Sequence, residues 1–129
     1  MAEERDHPVR DDDIQVLAAT DPANPYGAAL GWPDADGHRP GRKAGALVVL
    51  VDGALDVYVE RGGKTVLTFT ADEQRLAAAA ESLTATVRRA GGRLRVEKVD
   101  GEFSPGTPFG DALVAAGFAP TPQGLRLRG

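Results

Sequence analysis

The run Ala46-Leu-Val-Val-Leu-Val51 followed by Asp52-Gly53 is the strongest structural signal in this chain. A continuous apolar run rich in valine predicts a strand that is buried on both faces. Asp-Gly is typical of a two-residue type I′ turn, so residues 54–60 are predicted to return as the second strand of a hairpin. Their alternation predicts Leu55, Val57 and Val59 on one face and Asp56, Tyr58 and Glu60 on the other.

A third strand and a helix are predicted to follow this hairpin. A second turn at residues 61–64 leads into a strand over residues 65–70, which completes an antiparallel meander. Thr70 and Glu73 have the spacing of a capping box, so they predict the start of a helix. Its apolar stripe is formed by Leu76, Ala79, Ala80, Leu83 and Val87. Gly91 is the predicted residue just beyond its end.

The rest of the sequence predicts three shorter elements. These are a strand over residues 93–99, a helix that begins at Thr107-Pro108 and ends at Gly117, and a last strand over residues 125–128. The predicted order is therefore β-β-β-α-β-α-β. Because strands are grouped before helices, this order favours an α+β fold over a doubly wound parallel sheet.

The chain is predicted to have three segments. Residues 1–13 are acidic and without periodicity, which predicts a disordered N-terminus. Residues 14–43 form a Pro- and Gly-rich loop segment, in which the short apolar patch at residues 14–19 fits either a strand or a helical turn. This segment carries Trp32, the only tryptophan, so we expect it to pack onto the domain or onto a partner. Residues 44–129 are the predicted α+β domain.

The composition is that of one ordinary globular domain, with 129 residues, 42% hydrophobic and 26% charged. The absence of cysteine excludes disulfides and cysteine-based metal sites or nucleophiles. There is neither a signal peptide nor an apolar run long enough to cross a bilayer, so we expect a cytoplasmic protein without membrane contact. The net charge of −4 argues against a free-standing nucleic-acid binder, although basic residues concentrate at residues 38–43 and 126–128.

Motifs for catalysis and for ligand binding are missing. Gly62-Gly63-Lys64-Thr65 echoes a phosphate-binding loop, but the first glycine of that motif is absent and the position between two strands favours a hairpin turn. His7 and His38 are too far apart to indicate a metal site, and the acidic run at residues 11–13 is interpreted as solvated. Neither of the two serines lies in a nucleophile motif. We therefore predict no catalytic residue, metal or cofactor in this chain.

The strongest candidate binding cluster lies in the loop segment. It consists of Tyr26, Trp32, Arg39, Arg42 and Lys43. Basic side chains can hold phosphates and aromatic rings can stack on bases, so these residues predict a nucleic-acid contact. The alternative is that the aromatic rings fix the loop to the core while the basic side chains are solvated.

Several unusual strings in this sequence resemble the extreme C-terminal segment of the Lhr (large helicase-related) proteins of actinobacteria. They are Asp21-Pro-Ala-Asn-Pro-Tyr-Gly27, His38-Arg-Pro-Gly-Arg-Lys-Ala-Gly45 and Tyr58-Val-Glu-Arg-Gly-Gly63, together with the ending over residues 116–127. The resemblance covers residues 14–129 and leaves out the acidic start.

The resemblance implies a much longer parent protein. Members of the family are ATP-dependent superfamily-2 helicases that move 3′ to 5′ on single-stranded DNA, unwind RNA:DNA hybrids and are linked to DNA repair. Their ATP and Mg²⁺ are bound far upstream, and their catalytic residues have no matching positions here. What the resemblance implies for this chain is a place in the non-catalytic C-terminal region, which adjoins the upstream helicase domains and is associated with DNA handling and self-association.

Three functions remain open from the sequence. The first is an accessory module that contacts single-stranded DNA or an RNA:DNA hybrid through the candidate cluster. The second is a structural, oligomerisation or domain-docking module of the same helicase without direct nucleic-acid binding. The third is an unrelated small enzyme, which the missing motifs disfavour.

Overall fold

A computed structural model describes residues 14–28, 30–33 and 40–127. Within these ranges the chain forms two α-helices, nine strands and one short 3-10 turn at Arg61–Gly63. The helices are α1 (Glu73–Arg89) and α2 (Pro108–Ala116). The strands are β1 (Ile14–Ala18), β2 (Leu47–Val51), β3 (Ala54–Val59), β4 (Thr65–Thr68), β5 (Arg95–Val96), β6 (Lys98–Val99), β7 (Glu102–Phe103), β8 (Phe118–Thr121) and β9 (Gly124–Leu127).

The strands form two sheets, a large one in the order β1-β2-β3-β4-β6-β7 and a small one in the order β5-β9-β8. Neighbouring strands are antiparallel except for the parallel pair β4–β6. At the β2–β3 turn, Asp52 has a φ of 53° and Gly53 a φ of 82°, the positive values that a type I′ turn requires. The predicted α+β class and its antiparallel meander are confirmed.

The β2–β3 hairpin contains a bulge that the sequence did not indicate. Val49 lies opposite Val57 and Leu50 lies opposite Leu55, so Asp56 is an extra residue in β3. The extra residue turns Leu55 to the face of the sheet that Tyr58 also occupies, while Val57 remains on the other face. The predicted alternation is therefore wrong at Leu55 and also at Asp56, whose carboxylate bonds to Arg75 of α1 on the side opposite Tyr58.

The large sheet is covered on both faces, which confirms the predicted burial of β2 on both sides. The helices cover one face, where Val49 and Val51 of β2 join the main core. The opposite face carries a smaller cluster that includes Val48 and Leu50 of β2. Residues of the loop segment and of neighbouring strands pack onto that smaller cluster, namely Leu17, Tyr26, Trp32 and Phe69. The loop segment therefore takes the place of a third layer.

Both helices begin at a side-chain cap. Asp72 caps α1, because its carboxylate accepts from the backbone N–H groups of Gln74 (2.9 Å) and Arg75 (3.3 Å). The capping box predicted from Thr70 is wrong by two residues, since Thr70 accepts instead from the N–H of Asp72. The cap of α2 at Thr107 is confirmed, with its hydroxyl accepting from the N–H of Gly110 at 3.0 Å.

The structure adds strands that the predicted order lacked. The patch at residues 14–18 is a strand that pairs along its length with β2. The single strand predicted over residues 93–99 is divided between β5 and β6, which belong to different sheets. Strand β8 lies between the predicted second helix and the predicted last strand, where the predicted order had no element. The division of the chain into three segments stays a prediction, and residues 1–13 lie outside the described ranges.

Candidate functional site

After β1 the loop segment turns, and the side chain of Asn24 stabilises this turn. This side chain is buried, with its amide nitrogen donating to the carbonyl oxygen of Ala19 at 2.9 Å. Its amide oxygen accepts from the backbone N–H of Tyr26 at 3.1 Å. Asn24 thus satisfies the backbone on both sides of the turn, as a buried amide must.

Three aromatic rings connect this loop to the large sheet. The ring centres of Tyr26 and Trp32 are 5.9 Å apart, and those of Trp32 and Tyr58 are 5.7 Å apart in an edge-to-face arrangement. The hydroxyl of Tyr26 accepts from the backbone N–H of Leu55 at 3.1 Å, so its polar end is bonded to β3. The predicted alternative in which the aromatic residues fix the loop to the core describes this packing.

Tyr58 of β3 makes the contacts that connect the sheet to Gly41 and Trp32 of the loop segment. Its ring is fully buried, and its hydroxyl donates to the carbonyl oxygen of Gly41 at 3.0 Å and accepts from the N–H of Gly41 at 3.2 Å. Burial raises the pKa of this hydroxyl above its ordinary value, with the bond to Gly41 acting in the opposite direction. The Tyr58 hydroxyl therefore satisfies both the backbone N–H and the backbone carbonyl of Gly41.

Arg42 closes the loop against its own beginning. Its Nη1 donates to the carbonyl oxygens of Asn24 (2.8 Å) and Tyr26 (2.9 Å). Its Nη2 donates to the carbonyl oxygen of Asp21 at 3.1 Å and makes a longer bond of 3.4 Å to that of Thr20. The planar guanidinium suits such a set of acceptors, because its donors have a fixed geometry. We call Tyr26, Trp32, Gly41, Arg42 and Tyr58 the loop clamp.

A glycine makes room for the loop clamp. Gly27 has a φ of +80°, and a Cβ added to it would lie 2.7 Å from Nε1 of Trp32 and 2.9 Å from Cγ of Arg42. Both the backbone conformation and the close approach of two side chains therefore require glycine here.

The two remaining candidate residues lie apart from the loop clamp. The side chain of Lys43 is exposed beside Arg42. Arg39 lies outside the described residues. Of the five residues that the sequence proposed as one nucleic-acid cluster, three are thus packed together by hydrogen bonds and ring contacts within the fold.

A buried ion pair on the helical side of the sheet was not predicted. The carboxylate of Asp56 accepts from Nε (2.7 Å) and Nη2 (3.0 Å) of Arg75, and the same Nη2 donates to the carbonyl oxygen of Val51 at 3.0 Å. Burial raises the pKa of the Asp56 carboxyl, while the hydrogen bond and charge of Arg75 oppose this rise. The pair joins the bulge in β3 to the first turn of α1. The only sequence signal for it was an acidic residue within an otherwise apolar strand.

The stretch Gly62-Gly63-Lys64-Thr65 does not have the geometry of a phosphate-binding loop. It connects β3 to β4 through the 3-10 turn, and no helix follows it directly. A Cβ on Gly63 would lie 2.4 Å from Cδ1 of Leu94, so this glycine is packed against the strand region of the small sheet. The predicted turn between the two strands is confirmed.

An open groove of about 420 Å³ lies between β1 and α1 and includes Glu81, Ser82 and Arg89 in its lining. Within the described ranges, no group of three or more His, Cys, Asp or Glu side chains is placed to hold a metal ion. No helix in the same ranges is long and apolar enough to span a membrane. The other serine, Ser104, is buried and donates to the carbonyl oxygen of Val96 at 2.6 Å.

Comparison with known proteins finds sequence similarity to two proteins named as helicases. No protein-family model matches it. It is 55% identical over 124 residues to the Lhr helicase/probable uracil glycosylase of Mycolicibacterium smegmatis, an alignment that covers 88% of this chain. This chain is similar to a segment of the Lhr helicases. The Lhr helicase/uracil glycosylase of Escherichia coli is 39% identical over 113 residues, which cover 85% of the chain.

The similarity to Lhr is confined to a small part of each relative. The chain spans 8% of the length of the mycobacterial Lhr protein and 7% of the length of the E. coli Lhr protein. These two matches confirm the predicted resemblance to the Lhr family. In this Lhr-like segment, the nucleic-acid roles of Tyr26, Trp32, Arg39, Arg42 and Lys43 stay predictions.

Proposed function

We propose that this chain is a non-catalytic accessory module from the C-terminal region of an Lhr-type DNA helicase and that it contributes to nucleic-acid contact. The observation that carries the proposal is its 55% identity to a segment that makes up only 8% of a named Lhr helicase. A short, independently cored unit within a long motor protein is typical of an accessory module. In this proposal ATP and Mg²⁺ bind elsewhere in the longer protein, which works in the cytoplasm in DNA repair.

The names of both relatives include a uracil glycosylase as well as a helicase. We assign neither activity to residues of this chain, because each relative is more than ten times longer than the matching segment. The proposal concerns binding alone. The ligands we expect are single-stranded DNA and RNA:DNA hybrids.

A second candidate function is supported by the loop clamp. Tyr26, Trp32 and Arg42 make their contacts inside the fold, so they are better placed to shape a surface than to hold a nucleic acid. Such a rigid loop suits a docking or self-association module that contacts the upstream helicase domains or a second copy. This candidate needs no nucleic-acid binding by the chain.

A fluorescence-anisotropy titration of the purified chain tests the first candidate. Labelled single-stranded DNA, duplex DNA and an RNA:DNA hybrid are compared at low and at moderate salt concentration. We expect saturable binding that weakens as salt rises, because phosphate contacts release counterions. If no ligand binds at low salt, where such contacts are strongest, the nucleic-acid proposal is wrong.

Light scattering on the same preparation tests the second candidate. A docking module is expected to self-associate or to form a complex with the purified upstream helicase domains. The variant Trp32→Ala should weaken that complex if the loop surface is the contact, while Arg89→Ala at the exposed end of α1 should leave it unchanged. A chain that stays monomeric and forms no complex with those domains would rule out this candidate.

A further inference from the structure

The small sheet has an outer face that carries arginine side chains. In β5 and the residue pair before it, exposed Arg93 and Arg95 alternate with buried Leu94 and Val96. In β9, exposed Arg126 lies between two buried leucines. Because Arg95 and Arg126 are paired and exposed, they share the solvent side of the small sheet, and exposed Arg93 lies two residues before Arg95. We call Arg93, Arg95 and Arg126 the arginine face.

Two of these arginines are direct cross-strand neighbours. Arg95 and Arg126 are paired residues of the antiparallel β5–β9 ladder. Like charges at directly opposite positions of a ladder repel each other and destabilise it. The fold therefore maintains a concentration of positive charge at an electrostatic cost, which a bound anion would offset.

Neighbouring groups neutralise this charge only in part. Nη1 of Arg95 donates to the side-chain oxygen of Gln123 at 3.3 Å, and Nη2 of Arg95 lies 3.9 Å from a carboxylate oxygen of Glu97. The Arg95 side chain remains 52% exposed, so this ion pair is a weak one. Neither Arg93 nor Arg126 forms an ion pair with any residue in the part of the chain that the structure describes.

The backbone brings two lysines near the same sheet. The N–H groups of Glu97 and Lys98 both donate to the carbonyl oxygen of Lys64, each at 3.1 Å. The side chains of Lys64 and Lys98 are exposed. The two lysines therefore add positive charge next to β5, although Asp100 and Glu102 follow Lys98 and the whole chain carries a net charge of −4.

We propose that the arginine face binds the phosphate groups of single-stranded nucleic acid. This inference rests on the proposed nucleic-acid contact and names the surface that makes it. Guanidinium groups bind phosphate through two parallel hydrogen bonds, which suits a site made of arginines. Arg93 lies two residues before Arg95, and Arg126 lies on the neighbouring strand, so the charges are spread over the surface and do not form a single point. The three residues that define the face include no aromatic ring, so it is expected to recognise the backbone without preference for base sequence.

The experiment compares two double variants with the same change in charge. Arg95→Gln with Arg126→Gln removes two charges from the arginine face. Arg88→Gln with Arg89→Gln removes two exposed charges from the last turn of α1. Each protein is titrated against labelled single-stranded DNA of two unrelated sequences over a series of salt concentrations.

The arginine-face variant is expected to bind both sequences several-fold more weakly than the wild type. The slope of log K against log salt should fall by about 1.4, since each phosphate contact on a single strand contributes about 0.7. The control variant should keep the affinity and slope of the wild type. The arginine-face variant should unfold at no lower denaturant concentration than the wild type, because it loses a like-charge pair, so impaired folding would not explain weaker binding.

Other outcomes separate this inference from the proposed function. If the wild type binds and the arginine-face variant binds equally well, the inference is overturned while the proposed function stands. Equal losses in both double variants would also overturn it, because net charge alone would then explain the effect. If the wild type binds no nucleic acid at low salt, both are wrong, and an acidic protein surface becomes the partner that this charge fits.

Discussion

Arg42 is the side chain on which the ordering of the loop segment most depends. Its four acceptors are backbone carbonyls of Thr20, Asp21, Asn24 and Tyr26. Lysine retains the charge but offers one nitrogen in place of a planar fork, so it cannot bond all of these carbonyls. The side chain therefore acts as a cross-link between the two ends of the loop segment.

Replacing Arg42 by Lys is expected to destabilise the protein by about 1.5–3 kcal/mol, the usual range for hydrogen bonds that involve a charged group. Urea unfolding, followed by the fluorescence of Trp32, gives this free energy. Lys43→Ala is the control, and its effect should stay within about 0.5 kcal/mol because Lys43 is exposed. Equal stability of Arg42→Lys and wild type would show that the carbonyl contacts do not hold the loop.

The Tyr58 hydroxyl should make the loop sensitive to alkaline pH. Its pKa is raised above the ordinary value of 10.0 by burial. The folded state therefore binds the proton more tightly than the unfolded state does. The stability that depends on this proton is fully present below about pH 10 and is lost as the pH rises through the raised pKa.

The measurement is the free energy of unfolding as a function of pH for the wild type and for Tyr58→Phe. The variant lacks the bonds to Gly41 and should be less stable at neutral pH by about 1 kcal/mol. The difference between the two proteins should shrink above pH 10. A difference that stays constant up to the alkaline limit would contradict the assigned role of the hydroxyl.

The junction between β3 and α1 depends on the ion pair of Asp56 and Arg75. The side chain of Asp56 is 4% exposed and that of Arg75 is 28% exposed. Removing either partner leaves the other without its counter-charge, but only Arg75 has access to water. The two single variants should therefore differ in cost.

We expect Arg75→Ala to destabilise the protein by about 3 kcal/mol, because it leaves a buried carboxylate unpaired. Asp56→Ala should cost less, since the guanidinium can then turn towards solvent. The double variant should cost less than the sum of the two, as for residues in direct contact. Denaturant unfolding of the four proteins completes the cycle, and additive costs would mean that the pair is not coupled.

Most elements could be predicted because their signals are local. The Asp52-Gly53 turn, the apolar stripe of α1 and the Thr107 cap each lie within a single element or turn. The bulge at Asp56 could not be predicted, because it is stabilised by Arg75, 19 residues later in the chain. The small sheet was missed because β5 has two residues, too few to show a period, and pairs with β9 near the far end of the chain.

In the candidate site, too, only the features with a local sequence signal could be predicted. The presence of Trp32 in a Pro- and Gly-rich segment was enough to predict that the loop packs onto something. The acceptors of Arg42 lie 16 to 22 residues before it, so the sequence could not distinguish a phosphate ligand from a structural cross-link. The sequence showed that basic residues concentrate at 126–128, but only the fold brings Arg95 opposite Arg126.

At the scale of the whole molecule, we expect the fold to require the loop segment. It covers a face of the large sheet where the apolar residues are Val48, Leu50, Leu55, Tyr58 and Leu67. A chain that starts at residue 44 would expose that face to water and would lose β1 as well. We therefore expect the predicted domain of residues 44–129 not to fold alone.

This expectation can be checked with two truncated proteins. The chain that starts at residue 44 should bind a hydrophobic dye such as ANS and lose its cooperative unfolding transition. The control starts at residue 14 and lacks only the predicted disordered segment, so it should unfold like the full chain. Cooperative unfolding of the shorter protein without dye binding would show that the loop segment is dispensable.

The position of β9 has a mechanical consequence. It is the central strand of the small sheet, with β5 on one side and β8 on the other, whereas β1 is an edge strand that pairs with β2 alone. A pulling force applied at Leu127 must break two ladders together, while the same force applied at Ile14 can open a single ladder one bond at a time. Under tension between its two ends, the chain is therefore expected to yield first at β1 and to keep the arginine face intact until later.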